Sequence, residues 1–208
     1  VRRRRSFTRA TGSSWVLSRP PYSWSPTHRS LPRQPPLWQS EGVRQLTALD
    51  AQFLNVESPT TVGHVGSLIV LDPASAPGGV WNLDTVRAVI EPRVHLAAPM
   101  RQRLVEVPLS LGRPYWVDDP HFDIEFHLRE LALPAPGTRE QLGEQVARIH
   151  ARQLDRTRPL WEGYVITGLE GGKAAFYSKI HHAAIDGVSG AEILETILDV
   201  TVEPRVVE

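Results

Sequence analysis

Two adjacent histidines, His181 and His182, followed by Asp186 and Gly187, are the residues of this chain best suited to do chemistry. They lie in the stretch Lys179-Ile180-His181-His182-Ala183-Ala184-Ile185-Asp186-Gly187, where an apolar run gives way to a helical pattern. A neutral imidazole with a pKa of about 6.5 accepts a proton near neutral pH, which suits general-base work on an alcohol, a thiol or an amine. Neighbouring side chains at a strand end point to opposite faces, so the pair does not readily converge on one metal ion. The spacing predicts one histidine facing a cavity and the other packing inward, with Asp186 returning through a tight turn to order backbone or ring and Gly187 taking a positive φ there. The chain has no cysteine, which removes thiolate nucleophiles, disulfides and Cys-type zinc sites together. Ser178 and Ser189 are near in sequence, but neither sits in a Gly-x-Ser-x-Gly elbow, so direct transfer between two bound substrates is simpler than a covalent serine mechanism.

Other polar residues have plainer readings. His127 alternates with core positions and His150 falls on a helical pattern, so both, like His64, are expected to be structural or solvent-facing. Trp161, two residues after Pro159, is expected in the core. Asp118-Asp119 before Pro120 is explained by a turn at a strand end rather than by a carboxylate pair.

The elements that must hold the histidines can be read from apolar spacing and from caps. Leu46, Leu49, Phe53 and Leu54 predict a short helix with Thr47 as N-cap, closed by Pro59. Val62 to Leu71 is a strand by its β-branched content, and Pro73 to Gly79 a loop. Leu83, Val86, Val89 and Ile90 share a helical face after an Asn82 cap, with Pro92 as a potential kink. Short strands are expected at Arg103 to Val107, Tyr115 to Val117 and Phe122 to Leu128, the last from its alternation. Thr138 and Gln141 form a capping-box pattern ahead of Leu142, Val146 and Ile149, a helix ending near Leu154. Leu160 to Leu169 and Lys173 to Ile180 read as a hairpin turned by Glu170-Gly171-Gly172 and aimed at the histidines. Ile193, Leu194, Ile197 and Leu198 predict a closing helix.

Composition bounds the rest. Apolar residues make up 41% and charged residues 22% of 208, enough for a packed core without staples. The longest apolar runs fall far short of the roughly 20 residues that span a bilayer, so membrane contact is expected to be peripheral. The zero net charge hides an asymmetry: residues 1–44 hold nine arginines against Glu41, a charge of +8, which leaves −8 on residues 45–208. With six prolines and no sustained period, the first 44 residues are expected to be a disordered leader. Its arginines suit anionic lipid or nucleic acid, and an untranslated or uncleaved leader has the same composition. No nucleic-acid partner is expected for the folded region.

The motif His181-His182-Ala183-Ala184-Ile185-Asp186-Gly187 resembles the His-His-x-x-x-Asp-Gly signature of the CoA-dependent acyltransferase superfamily. Two further segments, Leu46 to Leu54 continuing through Thr60-Thr61-Val62-Gly63-His64-Val65-Gly66, and Arg158-Pro159-Leu160-Trp161-Glu162, resemble the wax ester synthase/diacylglycerol acyltransferases. The similarity spans roughly residues 45 to 200.

That resemblance implies an α/β fold of the α+β sandwich type: a chloramphenicol-acetyltransferase-like half with a mixed sheet and flanking helices, truncated before a second half that completes the substrate tunnel. It implies His182 as the general base that deprotonates diacylglycerol or a long-chain alcohol for attack on an acyl-CoA thioester. His181 is implied as support, Asp186 as an ordering partner and Gly187 as the turn residue. Acyl-CoA enters as substrate, with no cofactor. A missing C-terminal half or split partner is implied, as is a cytoplasmic location at the inner face of the plasma membrane or on lipid inclusions. Low activity of the chain alone is expected. The alternatives are a condensation-domain or polyketide-associated relative, and a non-catalytic lipid- or protein-binding remnant.

Overall fold

A computed structural model describes residues 43–185 together with Ile193, Thr196 and Ile197. The leader, apart from Val43 and Arg44, therefore lies outside the described residues, as do Asp186, Gly187, Ser189 and most of the closing helix. Ile193, Thr196 and Ile197 have helical backbone, in keeping with that last expectation.

The elements run β1 (Arg44–Gln45), α1 (Ala48–Asn55), β2 (His64–Leu71), α2 (Leu83–Ile90), β3 (Gln102–Val105), β4 (Tyr115–Asp118), α3 (Ile124–His127), β5 (Leu128–Ala132), α4 (Arg139–His150), β6 (Trp161–Thr167) and β7 (Ala174–His181). The helices begin where side chains replace missing backbone partners. Thr47 accepts the Asp50 amide ahead of α1. Asn82 with Thr85, and Thr138 with Gln141, close capping boxes ahead of α2 and α4. After α2 the chain continues as a tighter turn through Pro92, from Glu91 to Leu96.

Four strands form the main sheet in the order β2-β7-β6-β5, with β5 parallel to β6 and the other pairs antiparallel. A three-stranded antiparallel sheet, β1-β4-β3, stands apart from it. Mixed pairing with helices against the sheet is the mixed α/β architecture expected.

The expected strand from Phe122 to Leu128 is a correction. Ile124–His127 is one helical turn opened by the Asp123 carboxylate, which accepts the Glu125 amide, and pairing starts only at Leu128. Ile124, His127 and Leu128 are buried while Phe126 is partly exposed, so the spacing that decides burial is three and four, not two.

Alternation along β7 separates two environments. Phe176 and Ile180 face α2, Trp161, Met100 and the helical Ile193 and Ile197. Ala175 and Tyr177 face Leu142 and Ile149 of α4. A third cluster joins Leu54 of α1 and Trp116 of β4 to Ala183 and Ala184, just after β7. The end of β7 is thereby clamped between α1 and the small sheet, which fixes where His181 and His182 leave the strand. Opposite that end, Gly137 (φ 73°) opens α4; a Cβ there would collide with the Gly168 carbonyl, so the loops before α4 and after β6 pack backbone to backbone.

Candidate active site at the end of the central strand

The two histidines diverge as their position at a strand end predicts. His181 is the last residue of β7 and 1% exposed; His182 opens the short turn His182–Ala184 and is exposed. The His181 Nδ1 accepts the Ala183 amide at 3.0 Å, so its proton sits on Nε2, which lies 3.1 Å from Glu57 Oε1. His182 is held by its backbone, whose N–H donates to the Gly63 carbonyl at 2.7 Å. Its ring stacks on Phe53 of α1 with centroids 3.9 Å apart and planes at 18°. Among the described residues no side chain hydrogen-bonds the His182 ring nitrogens, so that imidazole keeps a lone pair for an incoming proton.

Beneath this turn lies a buried polar cluster. Glu57, 4% exposed at its side chain, accepts the Gly63 amide at 3.1 Å and pairs with Arg156 at 2.8 Å, while Arg156 also donates to the Leu54 carbonyl at the end of α1. Burial by itself would raise the Glu57 carboxyl, but the hydrogen bonds from Arg156 and Gly63 and the neighbouring positive charge hold it below the usual carboxylate range. His64 lies on the same side, with Nε2 3.6 Å from Glu57 Oε1 and Nδ1 donating to the His150 carbonyl at 3.2 Å. Burial pulls His64 down to about 4 against that hydrogen bond, and burial likewise lowers His181, so both rings are neutral near pH 7. His150 accepts from the Tyr177 hydroxyl at 2.6 Å; burial raises that phenol to about 12, so it remains the donor.

Lys179, fully buried on this face, donates to the Ile149 and Arg152 carbonyls at 3.0 and 2.7 Å and lies 3.3 Å from Glu162. It ends α4 by satisfying carbonyls that the helix leaves open.

The opposite face of β7 is apolar. A cavity of about 340 Å³ is lined by Ile90, Met100, Trp161, Phe176, Ile180 and Ile193 among others, with Gly163 and Ser178 also on its wall. Its edge at Ile180 is two residues from His182, although His182 is not part of the lining.

The remaining candidates fall as expected or better. Trp161 is core, its indole donating to the Met100 carbonyl. His127 is buried, donates to the Trp161 carbonyl at 2.8 Å and stacks between Phe122 and Trp161, a structural role. Asp119 accepts the His121 amide in a turn. Sequence reasoning did not single out Glu57 or Arg156. Nothing local marks either one, because their partners come from elements far along the chain.

The fold is shared with the starter condensation domain of rhizomide synthetase, at a TM-score of 0.55 and 16% identity over 75% of this chain and 38% of that one, a likeness of fold alone. The wax ester synthase/diacylglycerol acyltransferase of Marinobacter aquaeolei VT8 aligns at a TM-score of 0.59 with 36% identity, over 72% of this chain and 37% of that one. The family described as the wax ester synthase/diacylglycerol acyltransferase catalytic domain matches residues 46–208. A Mycobacterium tuberculosis protein named "Probable diacyglycerol O-acyltransferase tgs3" is 42% identical over 162 residues, 78% of this chain. The chain belongs to the wax ester synthase/diacylglycerol acyltransferase family, and it spans 59% of the length of that mycobacterial relative.

Proposed function

We propose that this chain carries the proton-transfer centre of an O-acyltransferase that moves a fatty acyl group from acyl-CoA to diacylglycerol or a long-chain alcohol. The observation that carries this reading is the contrast between the paired histidines: His181 is buried, with Nδ1 accepting the Ala183 amide and Nε2 set 3.1 Å from the Glu57 carboxylate, while His182 presents an exposed imidazole stacked on the Phe53 ring, with no side chain among the described residues hydrogen-bonded to its nitrogens. His182 takes the hydroxyl proton as the acceptor oxygen attacks the thioester carbonyl. The tetrahedral intermediate then expels CoA as its C–S bond breaks, and the proton passes from the imidazolium to the leaving sulfur. Asp186 and Gly187 are proposed to order the chain after this turn. The apolar cavity behind Ile180 suits a hydrocarbon chain rather than a polar acceptor.

Because the chain spans 59% of one relative and 37% of the Marinobacter protein, we further propose that a complementing segment completes the substrate path and that the chain alone turns over slowly. Among the described residues no helix is long and apolar enough to cross a membrane. Access to lipid substrates is proposed through peripheral contact with a membrane or lipid inclusion on the cytoplasmic side.

The test is CoA release and product formation from palmitoyl-CoA with dioleoylglycerol or hexadecanol, by this chain fused to the part of tgs3 outside the matched region. Triacylglycerol or wax ester should form and should fall by about 100-fold or more in His182→Ala, the range by which general-base catalysis accelerates such steps. Undiminished turnover in His182→Ala overturns the assignment.

A further inference from the structure

We infer that Glu57 is a positioning residue for His182, acting through the ring tautomer of His181. The inference rests on the reading of His182 as the base, and it arises from contacts that converge on one carboxylate. Oε1 faces His181 Nε2 at 3.1 Å and accepts the Gly63 amide at 3.1 Å. Each of those partners holds the turn that carries His182. Gly63 accepts the His182 backbone N–H at 2.7 Å through its carbonyl, and His181 accepts the Ala183 N–H at 3.0 Å through Nδ1. Oε2 pairs with Arg156, which also donates to the Leu54 carbonyl at the end of the helix whose Phe53 stacks on His182. Of the contacts that fix the His182 turn and its stacking platform, two therefore run through Glu57 directly and a third through Arg156.

The tautomer is the sensitive link. An imidazole accepts at Nδ1 only when that nitrogen carries no proton. A carboxylate beside Nε2 accepts a proton and never donates one, so it favours the Nε2–H form and leaves the Nδ1 lone pair for Ala183. A carboxamide in its place can turn its NH₂ toward Nε2. His181 would then carry its proton on Nδ1, facing the Ala183 N–H donor to donor, and the turn would open. The space is closed as well: a Cβ on Gly63 would lie 3.2 Å from His181 Nε2 and 3.4 Å from the Phe53 carbonyl, so the cluster tolerates little rearrangement. Along the remaining approaches the groups facing His181 are His64, with ring centroids 5.8 Å apart, the adjoining His182, and Arg156, whose charge opposes protonation of His181.

Long-range proton–nitrogen NMR of the imidazoles in the full 208-residue chain tests this directly. In the native chain His181 should carry its proton on Nε2 at neutral pH, and a proton on Nδ1 overturns the proposal without any variant. Glu57→Gln should shift His181 toward the Nδ1–H form and speed exchange of the Ala183 amide. Glu57→Asp, which keeps the anion, should restore the Nε2–H form at least in part. In the fused enzyme assayed above, Glu57→Gln should lower kcat about 10- to 100-fold with KM little changed, the cost of a misplaced catalytic group, and Glu57→Asp should recover part of it. A Glu57→Gln chain that keeps both the native tautomer and native kcat contradicts the inference. Since the NMR readout needs no turnover, failure of His182 as base and failure of Glu57 as its positioner give different results.

Discussion

The two faces of the central strand β7 have opposite constructions. On one, Tyr177, Lys179 and His181 are buried polar groups, and each is engaged by a named partner in α4 or in the loop after α1. On the other, Phe176, Ser178 and Ile180 border a mainly apolar cavity of about 340 Å³, whose wall Lys179 also touches although its ammonium is bound to carbonyls on the polar side. A strand that alternates between the two can hold the turn bearing the proposed base rigid from behind while leaving room in front for the hydrocarbon chain proposed above. Rigidity and space need not compete here, because the pleat assigns them to opposite sides of the same eight residues.

That contrast can be broken first on the polar face. Lys179→Met keeps the stem but removes a buried cation from the carbonyls of Ile149 at the end of α4 and Arg152 just past it, and from Glu162, and should cost about 3–5 kcal/mol in urea unfolding. A loss below about 1 kcal/mol would mean that the face is not organised around this charge.

Acid should loosen the same face. His64 is held down to about 4 in the fold but titrates near its ordinary value when unfolded. Between about pH 6.5 and 4 the unfolded chain therefore binds a proton that the folded chain refuses, and stability falls as pH drops through that window. His181, also lowered, adds to the fall, and Glu57 contributes further loss only as its carboxylate takes a proton below its usual range. The His64 contribution is on the order of 1–2 kcal/mol after solvent screening. Melts of native and His64→Asn chains between pH 7 and 4 should show a shallower slope in the variant, and equal slopes would contradict the assignment.

The sharpest comparison uses two glycines, one on each side. Gly63→Ala presses on His181 Nε2 at 3.2 Å, and Gly163→Ala on Leu128 and Phe176 at 2.9 and 3.0 Å. Each should cost about 1–3 kcal/mol by overpacking. Their kinetic signatures should differ: Gly63→Ala lowers kcat because it disturbs the His182 turn, and Gly163→Ala raises KM for long acyl-CoA because it pushes Phe176 into the cavity. Identical signatures would show that the two faces do not divide the labour.

Much of this was legible in the sequence wherever the signal is local. Thr47, Asn82 and Thr138 mark the starts of α1, α2 and α4 because a cap and its partner are three residues apart. The β6–β7 hairpin and the divergence of His181 from His182 follow from strand period. The stretch from Phe122 to Leu128 failed for a physical reason: its apolar residues alternate with a period of two, but the buried positions Ile124, His127 and Leu128 are three and four apart once a histidine counts as core, and the Asp123 cap decides for one turn of helix. Glu57 and Arg156 were silent because their meaning depends on α1, β7 and the loop after α4 meeting in space. Phe53 and Gly63 lay inside a segment already noted for its family likeness, but only the fold shows one as a platform under His182 and the other as the acceptor of its backbone amide.

On the proposed reading, His181 builds the site and His182 works in it. It is tested most directly by measuring melting temperature and CoA release side by side in the fused enzyme for His181→Ala and His182→Ala. His182→Ala should melt with the native protein yet lose about 100-fold or more in kcat, whereas His181→Ala should melt several degrees lower because it leaves the buried Ala183 amide without its acceptor and opens a cavity beside Glu57. A His182→Ala enzyme that releases CoA at the native rate would contradict it.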